Sequence, residues 1–494
     1  MRWSRLLLLA ALAGCGAEPG PAPVPEAPSS AWPVAVVARP GAAPAFERVV
    51  LVTVDTLRAD HLSCYGYPRA TTPFLDTLAA RGVRFTRALA AVSHTAPSHA
   101  TMLTGLVPPL HGVLENGTQL PERALDLARV FEQAGFETAA ALNVGFLAPI
   151  AGSFGHVEVR AAARGARNQT AEDVVDAALA WLHERRKGAR FLLWVHVYDP
   201  HEWQQRVEAH HGRDEPIWSG DTPADFVARF ADLHGLPAPV PGQPYLVPMP
   251  GKPDPRGVFG PDKLLRCVDA YDQLVLEADR ALARLHDELE ALGLPGRTLW
   301  VVTSDHGEGF ADHGYTGHTG RIFQEQLHVP LILSVSDGTL GPRVVEELVA
   351  HADLFPTLVE GLGLALEADE RLFDGRSLLP LARGADVPWP PRRVFAQRRP
   401  SADPRERDRA AMYALQDGRR KLLRLEPGPD ALFDLGADPR ELVDLGEEAA
   451  HASELHRALD ALLGTYGAHA PAAAEEEEVP EAILEELRNL GYAR

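Results

Sequence analysis

Three cysteines in 494 residues are too few for a disulfide framework, and only Cys64 and Cys267 lie in the body of the chain. Packing must hold the fold, and the sequence leaves open whether those two pair. Basic charge is also scarce: 48 Lys and Arg stand against 68 Asp and Glu, for a net charge of −20. A surface of that sign repels phosphate backbones, which argues against nucleic acid as a partner. Past the first residues no apolar run is long enough to cross a bilayer. No internal repeat is found, so a solenoid is excluded.

The N-terminus has a basic start, Met1-Arg2-Trp3-Ser4-Arg5, then an apolar run from Leu6 to Ala13, too short for a permanent membrane helix. It closes on Leu12-Ala13-Gly14-Cys15, which resembles the bacterial lipobox. Residues 1–15 therefore read as a lipoprotein signal peptide, with Cys15 as the lipidated first residue. The Pro/Ala-rich stretch 16–45 reads as a semi-rigid tether. The expected location is the bacterial cell envelope, with membrane contact only through the lipid anchor.

About 450 residues follow, ample for a large core. Strand patterns alternate with helical ones such as Thr170 to Arg186 and Tyr271 to Leu292, which argues a doubly wound α/β sandwich. Residues 46–388 form the expected catalytic domain. Within it, Glu202 to Gly260 is rich in Pro, Gly and His and reads as an insertion shaping the substrate pocket. Residues 389–468 read as a smaller subdomain with strands in Ala411–Leu425 and Ala431–Leu435. Residues 469–494 read as an acidic linker and a terminal helix whose Ile483, Leu484, Leu487 and Leu490 dock on the body.

The chemistry concentrates in three places. Arg48-Val49-Val50-Leu51-Val52-Thr53-Val54 is an apolar run of the kind buried on both faces of a parallel sheet, and it ends in Asp55. Leu299 to Ser304 is a second such run, ending in Asp305-His306-Gly307-Glu308. The carboxyl ends of such strands are where α/β sheets place ligands. Between them, Thr95-Ala96-Pro97-Ser98-His99 opens a short helix bracketed by Pro97 and Gly105. Thr95 at that N-terminus is either an ordinary cap, worth about 1 kcal/mol, or a nucleophile beside a metal. Two strands ending in acids, one followed by His, favour the metal constellation.

The ordered motifs VDTLRADHLSCYGY (Val54 to Tyr67), HVYDPH (His196 to His201), TSDHGEGFADHG (Thr303 to Gly314), GHT (Gly317 to Thr319), HADLFPT (His351 to Thr357) and DGRSLLPL (Asp374 to Leu381) resemble the sulfatase family of the alkaline phosphatase superfamily. The resemblance implies an alkaline-phosphatase-like α/β/α sandwich with a central mixed sheet and a smaller C-terminal α+β subdomain. It implies a hydrolase of sulfate or phosphate esters on a small molecule or glycan, and a divalent metal. Sulfatases carry Cys or Ser at the position of Thr95, oxidised to formylglycine, and Arg at that of His99. This chain departs at both, so Thr95 is expected to work unmodified. Thr95, Pro97, His99, Thr104-Gly105, His111-Gly112 and Asn116 resemble instead the run in nucleotide pyrophosphatase/phosphodiesterases.

Sulfatases hold calcium with paired acids after the first strand; here Asp55 is followed by Thr56. The ligand set implied is Asp55, Thr95, Asp305 and His306, which suits zinc or manganese better than calcium, an ion preferring about six to eight oxygens. By the same resemblance Asn116 donates to a non-bridging oxygen, though Glu-Asn-Gly is also a plain turn sequence. His201 and His318 match residues contacting the sulfate or leaving group; Asp199, His201 and His318 are the alternative, as ligands of a second metal. His196 reads as a packed strand residue and His313 as a solvated loop position, while His99 either faces the site or caps locally. Ester hydrolysis through a covalent Thr95 intermediate leads, phosphate or phosphonate ahead of sulfate. Phosphoryl transfer to a lipid or glycan, and a non-catalytic binding lipoprotein, are the alternatives.

The lipobox reading predicts that Cys15→Ser moves the protein from the membrane fraction to the soluble fraction. A wild-type chain already soluble and retaining Met1 refutes it.

Overall fold

The computed structural model describes residues 33–39, 43–160, 170–185, 188–211, 215–223, 226, 261–310, 312–313, 316–318, 320–369, 371–373, 375–385, 388–400, 410–446, 452–470 and 479–490. Its centre is a nine-stranded sheet. From one edge the strands run Arg343–Val345, Val83–Leu89, His328–Val335, Thr298–Ser304, Arg48–Val54, Phe191–Val197, Glu137–Leu142 and His156–Val159, with Val349–Ala350 also on Val83–Leu89. His328–Val335 alone runs antiparallel to its neighbours, so the sheet is mixed, as expected.

Alternation along the strands divides the core into two layers. In the Arg48–Val54 strand, Val49 and Leu51 join one apolar cluster, while Val50, Val52 and Val54 join the other. All seven residues are buried, which is why the sequence reads as a continuous apolar run rather than an alternating one. Helices Pro73–Arg81, Ala171–His183 and Pro261–Ala291 cover one face. Helices Thr95–Thr104, Leu127–Gln133 and Leu354–Gly361 cover the other. The helix at 171–183 starts where Thr170 and Asp173 form a reciprocal capping box.

The smaller subdomain is a four-stranded antiparallel sheet, Arg393–Arg398, Ala411–Asp417, Arg420–Glu426 and Ala431–Asp434, packed under helix Ala452–His469. The last three strands lie where the sequence placed them; Arg393–Arg398 was not anticipated. The terminal helix Glu481–Asn489 buries Leu487, with Ile483 and Leu490 partly buried against the core. Glu486 Oε1 accepts from Gly145 N at 2.7 Å. A Cβ on Gly117, at φ +83, would meet Ile483, Val479 and Leu487 at 3.1–3.3 Å, so this helix rests on the loop that carries Asn116.

Two expectations need correction. Within the stretch read as a tether, Val34–Ala38 is a strand paired with Leu364–Ala368 and so belongs to the body. His313 is not a solvated loop residue. It stacks on Phe323 with ring centroids 3.7 Å apart, and its Nδ1 lies 2.8 Å from Glu325 Oε1. Its Nε2 faces the Glu441 carbonyl of the small subdomain at 3.3 Å. Glu441, at φ +57, also pairs with Lys421 at 2.6 Å. Residues 1–32, most of the 202–260 insertion and the acidic stretch 471–478 lie outside the described residues. Cys64 and Cys267 are not joined in a disulfide. Among the described residues no helix is long and apolar enough to cross a membrane.

Burial alone would lower the pKa of His313, but the hydrogen bond and charge of Glu325 outweigh it and raise the imidazole above its ordinary value. A raised folded pKa contributes stability that is complete below the unfolded value, about 6.5, and lost as pH rises through the folded one. The melting-temperature gap between wild type and His313→Gln should therefore shrink as pH is taken from 6 towards 9. A constant gap removes the charged-histidine account.

Candidate active site

Asp55 and Asp305 follow neighbouring parallel strands whose registers match Val54 to Ser304, so their carboxylates emerge side by side. Both are fully buried. The Asp55–Thr56 turn takes Thr56 to φ +56, a left-handed conformation that costs a β-branched residue about 1–3 kcal/mol. Three hydrogen bonds hold it. Thr56 N donates to Asp305 Oδ1 at 3.1 Å, its carbonyl accepts from Tyr271 Oη at 2.7 Å, and Leu57 N donates to Ser304 Oγ at 2.8 Å. Thr56 Oγ1 donates to the Asp55 carbonyl at 2.7 Å, so its side chain is committed to the turn itself.

Thr95 is the first residue of helix Thr95–Thr104, His94 being the N-cap, one position inside the expectation. Gly105 ends the helix in the left-handed conformation, as its sequence position implied. The hydroxyl of Thr95 does not cap. Its Oγ1 lies 3.4 Å from Asp55 Oδ2 and 3.5 Å from His306 Nε2, fully buried. His306 Nδ1 donates to the Gly307 carbonyl at 3.0 Å, which leaves Nε2 as a bare lone pair turned to Thr95. Gly307 is required there, since a Cβ would stand 2.0 Å from the Glu325 carbonyl oxygen.

Asp55, Asp305 and His306 thus present three donor atoms within 4.8 Å of one another. Asp55 Oδ1 and Asp305 Oδ2 are buried with no hydrogen-bond partner. Burial, reinforced by the negative charge of Asp305, pushes the Asp55 carboxyl well above its usual range. Orphaned acceptors of this kind fit a divalent cation, with Thr95 Oγ1 as a fourth ligand at the rim.

Asn116 Oδ1 accepts from Ala96 N at 2.9 Å, which fixes the amide and leaves Nδ2 buried without a partner. A turn residue would not be tied to the nucleophile's helix in this way. His201 and His318 meet, their Nε2 atoms 3.2 Å apart, and the His318 ring lies 4.8 Å from that of His306. His201 is held below its ordinary pKa by burial and by the two neighbouring imidazoles His318 and His306. Burial first, then the same two rings, pushes His94 down to about 3. Asp199 does not join them: it is absent from the metal group among the described residues, and burial raises it to about 7. His99 caps locally, its Nδ1 2.7 Å from the Thr95 carbonyl oxygen. His196 is packed, as expected, but its Nε2 also stands 3.7 Å from Asp55 Oδ2.

Sequence reading missed the residues that hold the site. Arg58 is buried between Asp60 and Asp312, at 2.7 and 2.8 Å, and donates to the Glu308 carbonyl, clamping the loop after Asp305. Glu308 Oε2 accepts from Trp203 Nε1 at 3.0 Å and faces His318 Nδ1 at 3.4 Å. Ser98 Oγ donates to the Asp305 carbonyl at 2.6 Å. Arg58 and Glu308 sit inside the quoted motifs, which was the available signal.

Fold and site together define a hydrolase of the alkaline phosphatase superfamily. The chain belongs to the sulfatase family, whose profile matches residues 47–364. It is 24% identical over 484 residues to the multifunctional alkaline phosphatase superfamily protein PehA of Trinickia caryophylli, covering 82% of this chain and 92% of that one. It is 30% identical over 369 residues to arylsulfatase A of Bos taurus, covering 68% of each chain. Among solved structures, the phosphonate monoester hydrolase of Agrobacterium radiobacter shares the fold at a TM-score of 0.62 and 23% identity, over 86% of this chain and 96% of that one. The enzyme acts on sulfuric or phosphoric ester bonds.

Thr95→Ala should cut kcat by at least ~10³-fold, because covalent catalysis depends on that one atom, while metal content and melting temperature change little. Turnover within about tenfold of wild type would sink the assignment.

Proposed function

We propose that this chain hydrolyses phosphate diesters, monoesters or phosphonates in preference to sulfates, through a covalent intermediate on unmodified Thr95. The observation that carries this reading is the Thr95 hydroxyl, buried at a helix N-terminus within 3.5 Å of both Asp55 and His306. Both chemistries occur among the relatives, so the nucleophile is what discriminates. Formylglycine releases a sulfated intermediate by elimination from its second hydroxyl, a route closed to Thr. A Thr ester must instead be cleared by in-line attack of water.

A zinc or manganese ion on Asp55, Asp305 and His306 would acidify the Thr95 hydroxyl and draw charge from the attacked centre. The chain's own groups supply the rest. Thr95 Oγ1 points its hydrogen at Asp55 Oδ2, so the proton has an acceptor when Oγ1 bonds to phosphorus. The uncommitted Asn116 Nδ2 and the amides of the helix N-terminus favour the charge growing on the non-bridging oxygens. The His201–His318 pair is assigned to the departing oxygen, and Glu308 sets the ring of His318. Water then attacks phosphorus, breaks its bond to Thr95 Oγ1 and restores the hydroxyl. A lipid-anchored position in the bacterial envelope completes the proposal, resting on the lipobox-like Leu12 to Cys15.

Matched aryl phosphate diester, monoester, phosphonate and sulfate substrates, each with zinc, manganese and calcium, test the preference. At least one phosphorus substrate should exceed the sulfate in kcat/KM, and mass spectrometry should find residue 95 as unmodified Thr. Faster sulfate cleavage by unmodified enzyme refutes the nucleophile argument.

A further inference from the structure

Three side chains of the small subdomain grip the segment that follows His318. Lys421 Nζ donates to the Ile322 carbonyl at 2.7 Å, and Gln324 N donates to Glu441 Oε2 at 2.6 Å. Gln324 Nε2 donates to Gln416 Oε1 at 3.0 Å. Between these contacts Phe323 lies flat against His313 and edge-on to Phe433. Lys421 and Glu441 are both buried, with Nζ 2.6 Å from Oε1. Exchanging a buried ion pair for apolar residues of similar volume is often neutral or stabilising, so folding alone does not call for these charges. What they do is fix the backbone of residues 322–324.

Two residues on, Gln326 carries that grip into the site. It is fully buried, its carbonyl accepts from Gly307 N at 2.8 Å, and its Nε2 donates to the Gly317 carbonyl at 3.1 Å. A carbonyl can only accept, which settles the direction of the Gln326 amide. Gly307 directly follows His306, and Gly317 directly precedes His318. A single residue thus joins the two loops whose rings, His306 and His318, lie 4.8 Å apart.

We propose that Lys421 and Glu441 are positioning residues for the hydrolysis: acting through Gln326, they set His318 in place against His306. The proposal rests on the reading of His318 as a group that meets substrate. It gives the buried charges of the small subdomain a part in the rate of the reaction, exerted through the backbone of the segment they hold.

A kinetic cycle on His318 tests this, with whichever 4-nitrophenyl ester, phosphate or sulfate, wild type turns over faster. Lys421→Met/Glu441→Met should lower kcat about 10–100-fold with KM changed less than about threefold, because a small misplacement of a reacting group costs that much. In the His318→Ala background the same change should cost less than about threefold, since the ring it positions is gone. Where the double variant does not fold, Gln326→Leu is put through the same cycle with the same expectation. An equal loss in both backgrounds marks a merely structural pair and overturns the proposal, as does the absence of any loss in wild type. A kcat for His318→Ala within about twofold of wild type overturns the reading of His318, and this inference with it.

Discussion

Two carboxylates with no exposure, Asp55 and Asp305, are the constraint on which the rest of this structure depends. Parallel pairing of their strands places them side by side, where each opposes the ionisation of the other. Burying such a pair uncompensated costs several kcal/mol per charge. Among the described residues, their ion-pair contacts are imidazoles alone, His196 and His306. The buried arginine nearby, Arg58, is already engaged by Asp60 and Asp312. Charge compensation is thus left to a cation, and the surrounding elements serve to hold the gap open. The left-handed Thr56, the Ser98 bond to the Asp305 carbonyl and the His306–Gly307 contact all fix backbone or ring directions at that gap.

The site is layered by secondary structure. Strand ends supply the buried carboxylates of the candidate metal group, and the N-terminus of helix Thr95–Thr104 supplies the proposed nucleophile. Loops supply Asn116 and His318, and the short 3-10 helix Asp199–Glu202 supplies His201, the groups that would meet substrate. Each loop is braced from outside the sheet: the terminal helix lies under Gly117, and Glu308 sits between Trp203 and His318. The clamp at Phe323 and Glu441 holds His313, five residues before His318. The small subdomain is therefore tied to the substrate side of the molecule rather than appended to its edge. The two non-glycine residues with positive φ among those described, Thr56 and Glu441, stand at these two junctions.

Local chemistry was legible in the sequence, and cross-chain pairing was not. The strand into Asp55 could be read because all seven residues are buried, giving an unbroken apolar run. The helix of Thr95 could be read because Pro97 and Gly105 punctuate it. Arg393–Arg398 escaped because it follows three residues with two prolines and carries arginine at both ends, so neither alternation nor a continuous run marks it. His313 was misread because Glu441, its tertiary partner, lies 128 residues away. The Thr53–His196 contact depends on strand register between residues 143 apart, which no local pattern encodes. The tether was drawn too long because Val34–Ala38, amid Pro and Ala, gains its strand only by pairing with Leu364–Ala368.

The departures from the sulfatase pattern make sense as one electrostatic change. Where that family has a second acid after the first strand this chain has Thr56, and where it has Arg this chain has His99. One negative and one positive charge are absent together, so the balance around the metal group is kept. Either change alone would leave a buried charge unmatched, a loss typically of 3–5 kcal/mol. An arginine at position 99 would lie against Thr53, Trp194 and the Thr95 carbonyl, where no carboxylate is in contact with the present side chain. Burial keeps the imidazole there below its ordinary pKa. With Thr at 56 and His at 99, the pocket no longer presents the oxygen-rich surroundings of calcium or the arginine of the formylglycine motif. On the proposed reading, those are the conditions under which an unmodified Thr hydroxyl, set against two carboxylates and an imidazole, serves as the reactive oxygen.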